Sequence, residues 1–347
     1  MSSTQKMKAV VISKSVSDFK DIEVAEIDQP LPGPDHYLIQ VKAAGVNFVD
    51  TLYAKGKHQN NRSVVRPPFV LGREFSGTIL SAPSFSDYRP GDRVFGAHAG
   101  SYSEVISLPA STHIHSIPPS WSFSEAAGVA AILPVSYAAL LHAGIKTGQT
   151  ILVHAAAGGL GSMAVQVAKA LGCRVIGTAG SPEKCDIAIR SGADACVNYN
   201  QELAWWARVL DLTDGKGVDV VFDSVGLVDG SLKCVAHRGK ILVVGFAGIR
   251  DGMERIAMNR ILLKQVSLIG YRYGESLRRY PDEENIIWNG LKPLIQNGCI
   301  RPIVFHPEYH GLDQVPRALS DMSGRQTWGK AVVTLGCDAL NTDRARL

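Results

Sequence analysis

Residues 151–161 read Ile-Leu-Val-His-Ala-Ala-Ala-Gly-Gly-Leu-Gly, an apolar strand followed by a glycine-rich turn, and a helical pattern begins at Ser162. Gly158 and Gly161 lack side chains, so a pyrophosphate can approach the backbone and rest against the N-terminus of the helix. Ala156 stands where the usual pattern has its first glycine. We predict that this turn binds a dinucleotide pyrophosphate through Ala157, Gly158, Gly159, Leu160 and Gly161.

The residues that follow complete a strand–helix–strand unit. Apolar side chains recur at helical spacing as far as Leu171, Gly172 ends the helix, and Arg174 begins a second strand. The unit is about 30 residues long, as a strand–helix–strand crossover requires, and such a crossover is right-handed and joins parallel strands. Six such apolar runs alternate with helical patterns and predict a doubly wound Rossmann sheet. They cover residues 151–154, 175–178, 195–198, 218–223, 241–246 and 266–269.

The sequence before residue 131 has a different pattern, because its short β-type runs are broken by proline and glycine, which predicts a compact β barrel. A chain of 347 residues also exceeds what one hydrophobic core usually supports. We therefore predict an α/β fold in which a Rossmann domain, residues 132–271, is inserted into a barrel domain made of residues 1–131 and 272–347.

The net charge, the apolar stretches and the cysteines of the chain limit the kinds of partner that it can bind. The formal net charge is +4, and no dense run of Lys and Arg indicates nucleic acid or a membrane surface, so a small acidic ligand fits better. No apolar stretch approaches the ~20 residues of a membrane-spanning helix, and residues 1–8 contain no apolar signal core. The six cysteines are scattered without paired spacing, which is typical of reduced thiols in an intracellular protein.

The end of the second Rossmann strand indicates which dinucleotide binds. An NAD site places Asp or Glu there to bind the ribose 2′-hydroxyl, yet this strand ends at Gly177-Thr178 and no acidic residue lies between Ser162 and Pro182. Thr178 is therefore predicted to line a site for NADPH rather than NADH.

Three residues beyond this strand favour a 2′-phosphate. Ser181 can cap the next helix, Lys184 supplies a cation in its first turn, and Tyr199, after the third strand, can pack over the same pocket. The alternative is that Lys184 is a solvated helix residue, and Glu183 beside it weakens the charge argument.

Taken together, the chain resembles the medium-chain dehydrogenase/reductase superfamily, in particular its zeta-crystallin and quinone oxidoreductase branch, from Met7 to Leu335. The resemblance implies a GroES-like barrel, a Rossmann domain that binds NADPH, and a homodimer in which residues 266–270 extend the sheet across a two-fold axis. The segments that carry the resemblance are residues 44–50, 71–77, 91–96, 155–161, 221–226 and 329–333.

The zinc alcohol dehydrogenases of that superfamily have metal ligands at two places that here hold Asn47 and Arg73. A structural zinc site would need four close thiolates, and residues 93–116 contain no cysteine. We therefore expect no metal, and we interpret His98, His113 and His115 as loop histidines.

Without a Lewis acid, hydride delivery requires an acceptor that is already electron-poor, such as a quinone or an α,β-unsaturated carbonyl. The candidate catalytic residues are Asn47, Tyr53 and His58. By the resemblance, the Asn47 amide contacts the nicotinamide or the substrate as both donor and acceptor; the alternative is an Asn that only forms a turn. His58 could donate a proton, although a solvent-facing loop histidine is the simpler interpretation.

The resemblance also implies further coenzyme contacts. Ser224, Val225 and Gly226 end the fourth strand near the nicotinamide ribose, and Phe246 ends the fifth beside them. Lys330 matches a lysine near the coenzyme phosphates, although an ordinary surface lysine would look the same. Tyr137 lies in the helix that leads to the Rossmann domain, where Val135 departs from a threonine common in the family.

Two other functions stay open. One is reduction of enoyl thioesters such as enoyl-CoA, and the other is a non-catalytic crystallin-like or RNA-binding role. The terminal residues Ala345-Arg346-Leu347 are similar to a Ser-Lys-Leu peroxisomal signal. The expected location is therefore either the peroxisome or the cytoplasm.

Overall fold

The computed structural model describes residues 5–58, 65–248 and 252–336. The chain forms two compact units, Met1–Ala131 with Val304–Leu347, and Ile132–Ile303. We call them the barrel unit and the Rossmann unit. Among the described residues, no helix is long and apolar enough to cross a bilayer.

The barrel unit is built mainly of strands, which form two sheets. The elements in its described part are β1 Lys6–Ile12, β2 Glu23–Asp28, β3 His36–Gly45, α1 Phe48–Ala54, β4 Phe69–Val70, β5 Glu74–Ser81, β6 Arg93–Ala97, β7 Val105–Pro109, β8 Ile114–Ser116, α2 Phe123–Ala126, β15 Tyr309–His310, α11 Val315–Ser323 and β16 Val332–Thr334. One sheet has the strand order β2-β1-β4, and the other β15-β16-β3-β5-β6-β8, with β7 also paired to β3.

Alternation of apolar and polar residues builds the core of this unit, because one side of each strand faces the other sheet or a helix. Phe75 and Ile79 of β5, Ile39 of β3 and Tyr102 are completely or almost completely buried there. Strand β16 pairs antiparallel with β3, with Val332 opposite Gly45. This pairing joins the late segment of the chain to the segment that leads into α1.

The Rossmann unit alternates helices with strands. Its described elements are α3 Leu133–His142, β9 Thr150–Val153, α4 Gly159–Ala170, β10 Arg174–Ala179, α5 Pro182–Arg190, β11 Ala195–Asn198, α6 Trp205–Asp211, β12 Val218–Asp223, α7 Val228–Cys234, β13 Val235–Val243, α8 Met258–Lys264, β14 Ser267–Gly270, α9 Tyr273–Arg279 and α10 Glu283–Gln296. The strands form one six-stranded sheet in the order β11-β10-β9-β12-β13-β14, and every neighbouring pair is parallel. Numbered from its own first strand, the order is 3-2-1-4-5-6, that of a Rossmann fold.

The predicted α/β fold with a doubly wound sheet and a separate barrel is confirmed. Three boundaries differ from expectation. Helix α4 begins at Gly159 rather than Ser162, and β13 ends at Val243, which leaves Phe246 in a loop. The second unit also extends to Ile303 rather than residue 271, because α9 and α10 pack with α3 of the same unit.

Candidate active site

The glycine turn lies between β9 and α4 at the carboxyl end of the sheet. Ala155 adopts a left-handed φ of 49°, and its carbonyl accepts a hydrogen bond from the Gly158 N–H at 2.8 Å. The Ala156 N–H bonds to the Thr178 carbonyl at 3.0 Å, which ties the turn to the end of β10. Helix α4 then starts at Gly159, and N–H groups of a first helical turn have no acceptor within the helix. The turn therefore suits an anion.

The glycines of the turn have different tasks. A Cβ on Gly161 would lie 2.1 Å from the Ala155 carbonyl oxygen, whereas one on Gly158 would lie 3.3 Å from it. Gly161 is thus required for the helix to approach the turn, rather than for direct access of phosphate. Ala156, in place of the usual first glycine, is buried, and its methyl group lies 2.8 Å from where a Cβ on Gly177 would be. Gly177 of β10 therefore provides the space for Ala156.

A small pocket wall forms around Gly180, directly after β10. Ser181 is the N-cap of α5, and its hydroxyl accepts the Lys184 N–H at 3.2 Å, as predicted. Tyr199 lies on the other side, because a Cβ on Gly180 would come within 2.6 Å of its hydroxyl oxygen. The structure therefore brings together the three residues predicted to surround a 2′-phosphate, and Lys184 is half-buried.

The ends of β12 and β13 also meet. Buried Asp223 accepts hydrogen bonds from the N–H groups of Val225, Gly226 and Leu227 at 2.7 to 2.9 Å. These N–H groups are therefore directed at Asp223 and not at a ligand. The loop with Phe246 bonds back to this segment through the Ala247 N–H and the Ser224 carbonyl at 3.1 Å, and the Phe246 side chain is 43% exposed.

A buried histidine, which the sequence prediction did not include, holds the base of the turn. His154 follows β9 and bonds to the Thr178 hydroxyl and the Ser231 hydroxyl, both at 2.9 Å. Because the Ser231 hydroxyl donates to the Leu227 carbonyl at 2.7 Å, Nε2 of His154 must be the donor to Ser231 and Nδ1 the acceptor from Thr178. Burial lowers the pKa of His154 to about 4, which agrees with a neutral ring. The Thr178 hydroxyl therefore donates its proton to His154.

Tyr137 has a different environment from the predicted one. Its ring is buried in α3, and its hydroxyl lies against α10, where a Cβ on Gly290 would come within 2.1 Å of it. The hydroxyl that the resemblance assigns to the coenzyme therefore packs on a helix of its own unit.

In the barrel unit, three polar side chains form a buried cluster that we call the lysine cluster. The Lys330 ammonium lies 2.6 Å from Glu74 Oε2 and 2.5 Å from Asn47 Oδ1, and the two charged side chains are 4% and 0% exposed. The Asn47 Nδ2 group donates to Glu74 Oε2 at 3.2 Å and to the Gly45 carbonyl at 3.3 Å. Lys330 is therefore not an ordinary surface lysine, and its ammonium already binds Glu74 and Asn47.

These contacts fix the orientation of the Asn47 amide. An ammonium only donates and a carboxylate only accepts, so Oδ1 must face Lys330 and Nδ2 must face Glu74. Both amide protons are then used. The prediction that Asn47 offers a ligand both a donor and an acceptor is corrected, because its side chain has only acceptor capacity left.

The backbone of Asn47 is held by a second buried carboxyl group. Asn47 precedes α1 as its N-cap, and its N–H donates to Asp50 Oδ2 at 2.8 Å, which also accepts the Tyr102 hydroxyl at 2.9 Å. The other oxygen, Oδ1, has no hydrogen-bond partner among the described residues. Burial raises the pKa of Asp50 to about 6, against the opposing effect of these hydrogen bonds.

The other two candidate catalytic residues lie together. The rings of Tyr53 and His58 stack with their centres 4.3 Å apart, and the Arg73 guanidinium lies 5.6 Å from the centre of the Tyr53 ring. Tyr53 is buried, and His58 is half-buried. His58 lies in a loop, and one face of its ring covers Tyr53.

Comparisons with known proteins agree with this arrangement. Residues 33–119 match the alcohol dehydrogenase GroES-like domain, and residues 159–288 match the family described as zinc-binding dehydrogenase. A quinone oxidoreductase of Pseudomonas aeruginosa is 35% identical over 327 residues, which cover 92% of this chain and 95% of that protein. The chain belongs to the quinone oxidoreductase branch of the medium-chain dehydrogenase/reductase superfamily.

Two solved structures are similar to this family member over almost their whole length. A quinone oxidoreductase of Pseudomonas syringae pv. tomato DC3000 has a TM-score of 0.81 and 31% identity, with 94% of this chain and 99% of that chain covered. A mycobacterial protein solved in complex with NADPH has a TM-score of 0.80 and 29% identity, with the same coverage.

The family description mentions zinc, so the donor atoms matter at the place where the zinc relatives hold a metal. Asn47 Oδ1 and Glu74 Oε2 are oxygen donors there, but both already bind the Lys330 ammonium. A divalent ion would be repelled by this ammonium, so this donor set does not fit zinc. Across the described ranges, no group of three or more His, Cys, Asp or Glu side chains is arranged to hold a metal ion.

Sequence reasoning missed four polar residues of these sites: Asp50, Glu74, Tyr102 and His154. Asp50 follows Asn47 by three residues, the spacing of a capping box, and this was a usable signal. His154 follows the apolar residues 151–153, where a polar residue needs a partner, whereas Glu74 stands beside Arg73 and gave no such signal. The predicted histidine His98 lies in a loop, as expected, whereas His115 lies in β8.

Proposed function

We propose that this protein is a zinc-independent NADPH-dependent reductase that transfers a hydride to quinones or α,β-unsaturated carbonyls. The observation that carries the proposal is the turn with Gly158 and Gly161 at the carboxyl end of the central strand β9, beside the acid-free end of β10. The quinone oxidoreductases among its relatives and the NADPH bound in a similar structure support the same conclusion.

The residues of the Rossmann unit would hold the coenzyme. The turn of residues 157–161 suits the pyrophosphate, with the N–H groups of residues 159–161 at the start of α4 as donors, and Ser181, Lys184 and Tyr199 suit a 2′-phosphate. Ser224, Val225, Gly226 and Phe246 border the ends of β12 and β13, where the nicotinamide ribose is expected. Bound NADPH supplies the hydride.

The chain itself contributes positioning and electrostatics. Asn47, Tyr53 and His58 are the residues proposed to contact nicotinamide or acceptor, and the Arg73 guanidinium beside the Tyr53 ring supplies a positive charge to this region. A positive environment stabilises the negative charge that develops on a quinone or enone oxygen as the hydride arrives. Quinones and enones need no metal for this step, because they are already electron-poor.

The proposal is tested by following oxidation of NADPH and NADH with ortho-quinones, para-quinones, enones and enoyl-CoA esters, with zinc measured on the same sample. We expect quinone or enone reduction with NADPH and substoichiometric zinc. Activity confined to enoyl-CoA would favour the enoyl-thioester reductase, and no activity on any acceptor would favour the non-catalytic role. Stoichiometric zinc would contradict zinc independence.

The coenzyme preference has its own test. Lys184→Met removes the cation beside Ser181 and keeps the length of the side chain, so the KM for NADPH should rise about tenfold, with little change for NADH. The exposed lysine Lys216 of the same unit, replaced by Met, is the matched control. Equal effects on both coenzymes would contradict a 2′-phosphate contact.

We also propose a homodimer formed through β14, the last strand of the sheet order. Its free edge and the adjacent helix α8 carry exposed apolar side chains, with Met258, Leu262 and Leu263 each more than 70% exposed. Leu263→Lys should convert the dimer to a monomer in light scattering coupled to gel filtration. A monomeric wild type would contradict the proposal.

Cellular location is a separate proposal, peroxisomal or cytoplasmic. The import signal predicted at Ala345-Arg346-Leu347 lies outside the described residues. An N-terminal fluorescent fusion should follow a peroxisomal marker only when these three residues are present, and a diffuse signal with them present would leave the cytoplasm as the location.

A further inference from the structure

The lysine cluster is not explained by binding of coenzyme phosphates. The Lys330 ammonium is buried, paired with Glu74 and bonded to Asn47, so its charge is already compensated within the barrel unit. Burying such a pair costs desolvation free energy that its attraction offsets only with good geometry and further hydrogen bonds. The Glu74 carboxylate has these further bonds, from the Asn47 amide and from the Ala131 N–H at 2.7 Å.

The backbone around Lys330 leaves space for its side chain. A Cβ on Gly45 would lie 2.9 Å from Lys330 Cε and 2.5 Å from Glu74 Oε2. A Cβ on Gly128 would lie 3.0 Å from Lys330 Cγ. Two glycines therefore border the stem of the lysine, and a side chain at Gly45 would displace both members of the ion pair.

We propose that Lys330 is a positioning residue that fixes the Asn47 amide, with Glu74 as the shared anchor. At the place where the zinc relatives hold a metal ion, this chain therefore has the Lys330 ammonium, a cation that belongs to the protein itself. The Asn47 amide is locked by these two partners and by Asp50 on its backbone, and both of its protons are engaged. Asn47 therefore meets a ligand only as an acceptor, so the ligand group opposite it is an N–H or O–H donor, such as the carboxamide nitrogen of a nicotinamide.

This inference rests on the proposed function, because positioning of Asn47 affects a rate only if Asn47 contacts coenzyme or acceptor. It differs from the phosphate-binding role in a measurable way. Loss of a pyrophosphate contact raises the KM for both coenzymes, and loss of a 2′-phosphate contact raises the KM for NADPH alone, whereas loss of a positioning residue lowers kcat with both coenzymes equally.

The experiment uses Lys330→Met, which keeps the unbranched stem between the two glycines, and the double variant Glu74→Gln/Lys330→Met, which removes the uncompensated carboxylate. The matched control is Lys6→Met, whose ammonium forms an exposed ion pair with Asp28 at 2.7 Å in the same unit. Initial rates are measured with 1,4-benzoquinone and with NADPH or NADH, and thermal unfolding confirms that each variant is folded.

Both Lys330 variants should lose roughly 100-fold in kcat with either coenzyme, because a misplaced contact group costs about this much, while the ratio of the two KM values stays constant. Lys6→Met should match wild type. A rise in the KM for NADPH, alone or together with the KM for NADH, without a loss of kcat would overturn the proposal in favour of a phosphate contact. Wild-type kcat in a folded double variant would also overturn it, since the cluster would then serve stability alone.

A second readout is independent of activity, so failure of the proposed function can be distinguished from failure of this inference. The side-chain amide of Asn47 gives its own ¹⁵N–¹H signals, assigned by their loss in Asn47→Asp. In wild type these protons should exchange slowly with solvent, and in Lys330→Met at least about tenfold faster. Unchanged exchange in the variant would overturn the proposal even if wild type reduced no quinone.

Discussion

Asp50 of the barrel unit and Asp223 of the Rossmann unit are both completely buried carboxyl groups, yet they are satisfied in different ways. Asp223 accepts three backbone N–H groups, spread over its two oxygens. Asp50 accepts both of its hydrogen bonds on one oxygen, and the described part of the chain offers the other oxygen no partner. The same residue type is thus an anchor for a loop in one unit and an incompletely bonded acid in the other.

The difference extends to the other buried polar groups. The barrel unit buries a charged pair, Lys330 and Glu74, whereas the Rossmann unit buries a neutral histidine, His154, between two hydroxyl groups. Side-chain charges therefore dominate the field in the lysine cluster, and backbone dipoles dominate it at the glycine turn. The first arrangement fixes a side chain, and the second leaves N–H groups available to an anion.

The strongest way to break this comparison is to disturb the glycine turn. Gly161→Ala places a methyl group 2.1 Å from the Ala155 carbonyl oxygen, so α4 must move away. We expect a loss of about 4 kcal/mol in the free energy of unfolding of the Rossmann unit. NADPH binding, followed by fluorescence titration, should be lost with it.

The control for this change is Gly274→Ala, because Gly274 lies in α9 and a methyl group on it would meet no atom of the described residues within 4 Å. This variant should keep wild-type stability or gain slightly, since alanine favours the helix. Equal losses in the two variants would show that close packing at Gly161 is not the cause.

The two units should also respond to pH in opposite directions. The pKa of Asp50 is raised to about 6, so the folded state holds the proton more tightly than the unfolded state, and stability falls as pH rises from about 4 to 6. The pKa of His154 is lowered to about 4, so its contribution is complete above pH 6.5 and is lost as pH falls toward 4. The two effects oppose each other in the wild type.

Asp50→Asn should reveal the histidine effect. Relative to wild type, the variant should gain about 3 kcal/mol of unfolding free energy between pH 4 and 7, because burial raises the pKa of the Asp50 carboxyl and an asparagine does not titrate. Urea unfolding at several pH values measures this difference. A pH-independent difference would contradict the raised pKa of Asp50.

A third comparison concerns the hydrogen bonds themselves at pH 7. Asp223→Asn replaces one accepting oxygen by an NH₂ group that faces a backbone donor, so it should cost about 2 kcal/mol. Asp50→Asn can place its NH₂ group at the position of Oδ1, which accepts no hydrogen bond from the described residues, so it should be neutral or stabilising. Urea midpoints measure both, and the reverse order would contradict the assignment of hydrogen bonds.

The smallest expected effect is at the cap of α5. Ser181→Ala removes the acceptor for the Lys184 N–H and should cost about 1 kcal/mol of stability. Thermal unfolding with and without NADPH checks this value. Ser191→Ala, at the other end of the same helix, is the comparison variant, since its hydroxyl donates to the Ile187 carbonyl of the preceding turn.

The Rossmann unit was predictable because its signals are local. Apolar runs of the length of a strand, the glycine turn and the Ser181-Pro182 cap each lie within a few residues, and the structure places each of them as expected. The boundary near residue 271 was not predictable in this way. Helices α9 and α10 have amphipathic patterns that do not reveal which core they cover.

The lysine cluster was not predictable, because its members are far apart in the sequence. Asn47 and Glu74 are 27 residues apart, and Asn47 and Lys330 are 283 residues apart. No spacing rule joins them, so Lys330 could only be assigned by resemblance, and Asn47 was given hydrogen-bonding groups that its neighbours already use. The roles of Lys330 and Asn47 both depend on which partners are buried beside them, and these partners are known only from the structure.

The separation of 283 residues between Lys330 and Asn47 also affects how the protein is made. When residues 45–131 leave the ribosome, Glu74 has no cation to pair with, and the whole Rossmann unit is synthesised before Lys330 appears. At about 5 to 20 residues per second, synthesis from residue 131 to Lys330 takes roughly 10 to 40 seconds. The ion pair that fixes Asn47 can therefore form only after the whole Rossmann unit has been synthesised.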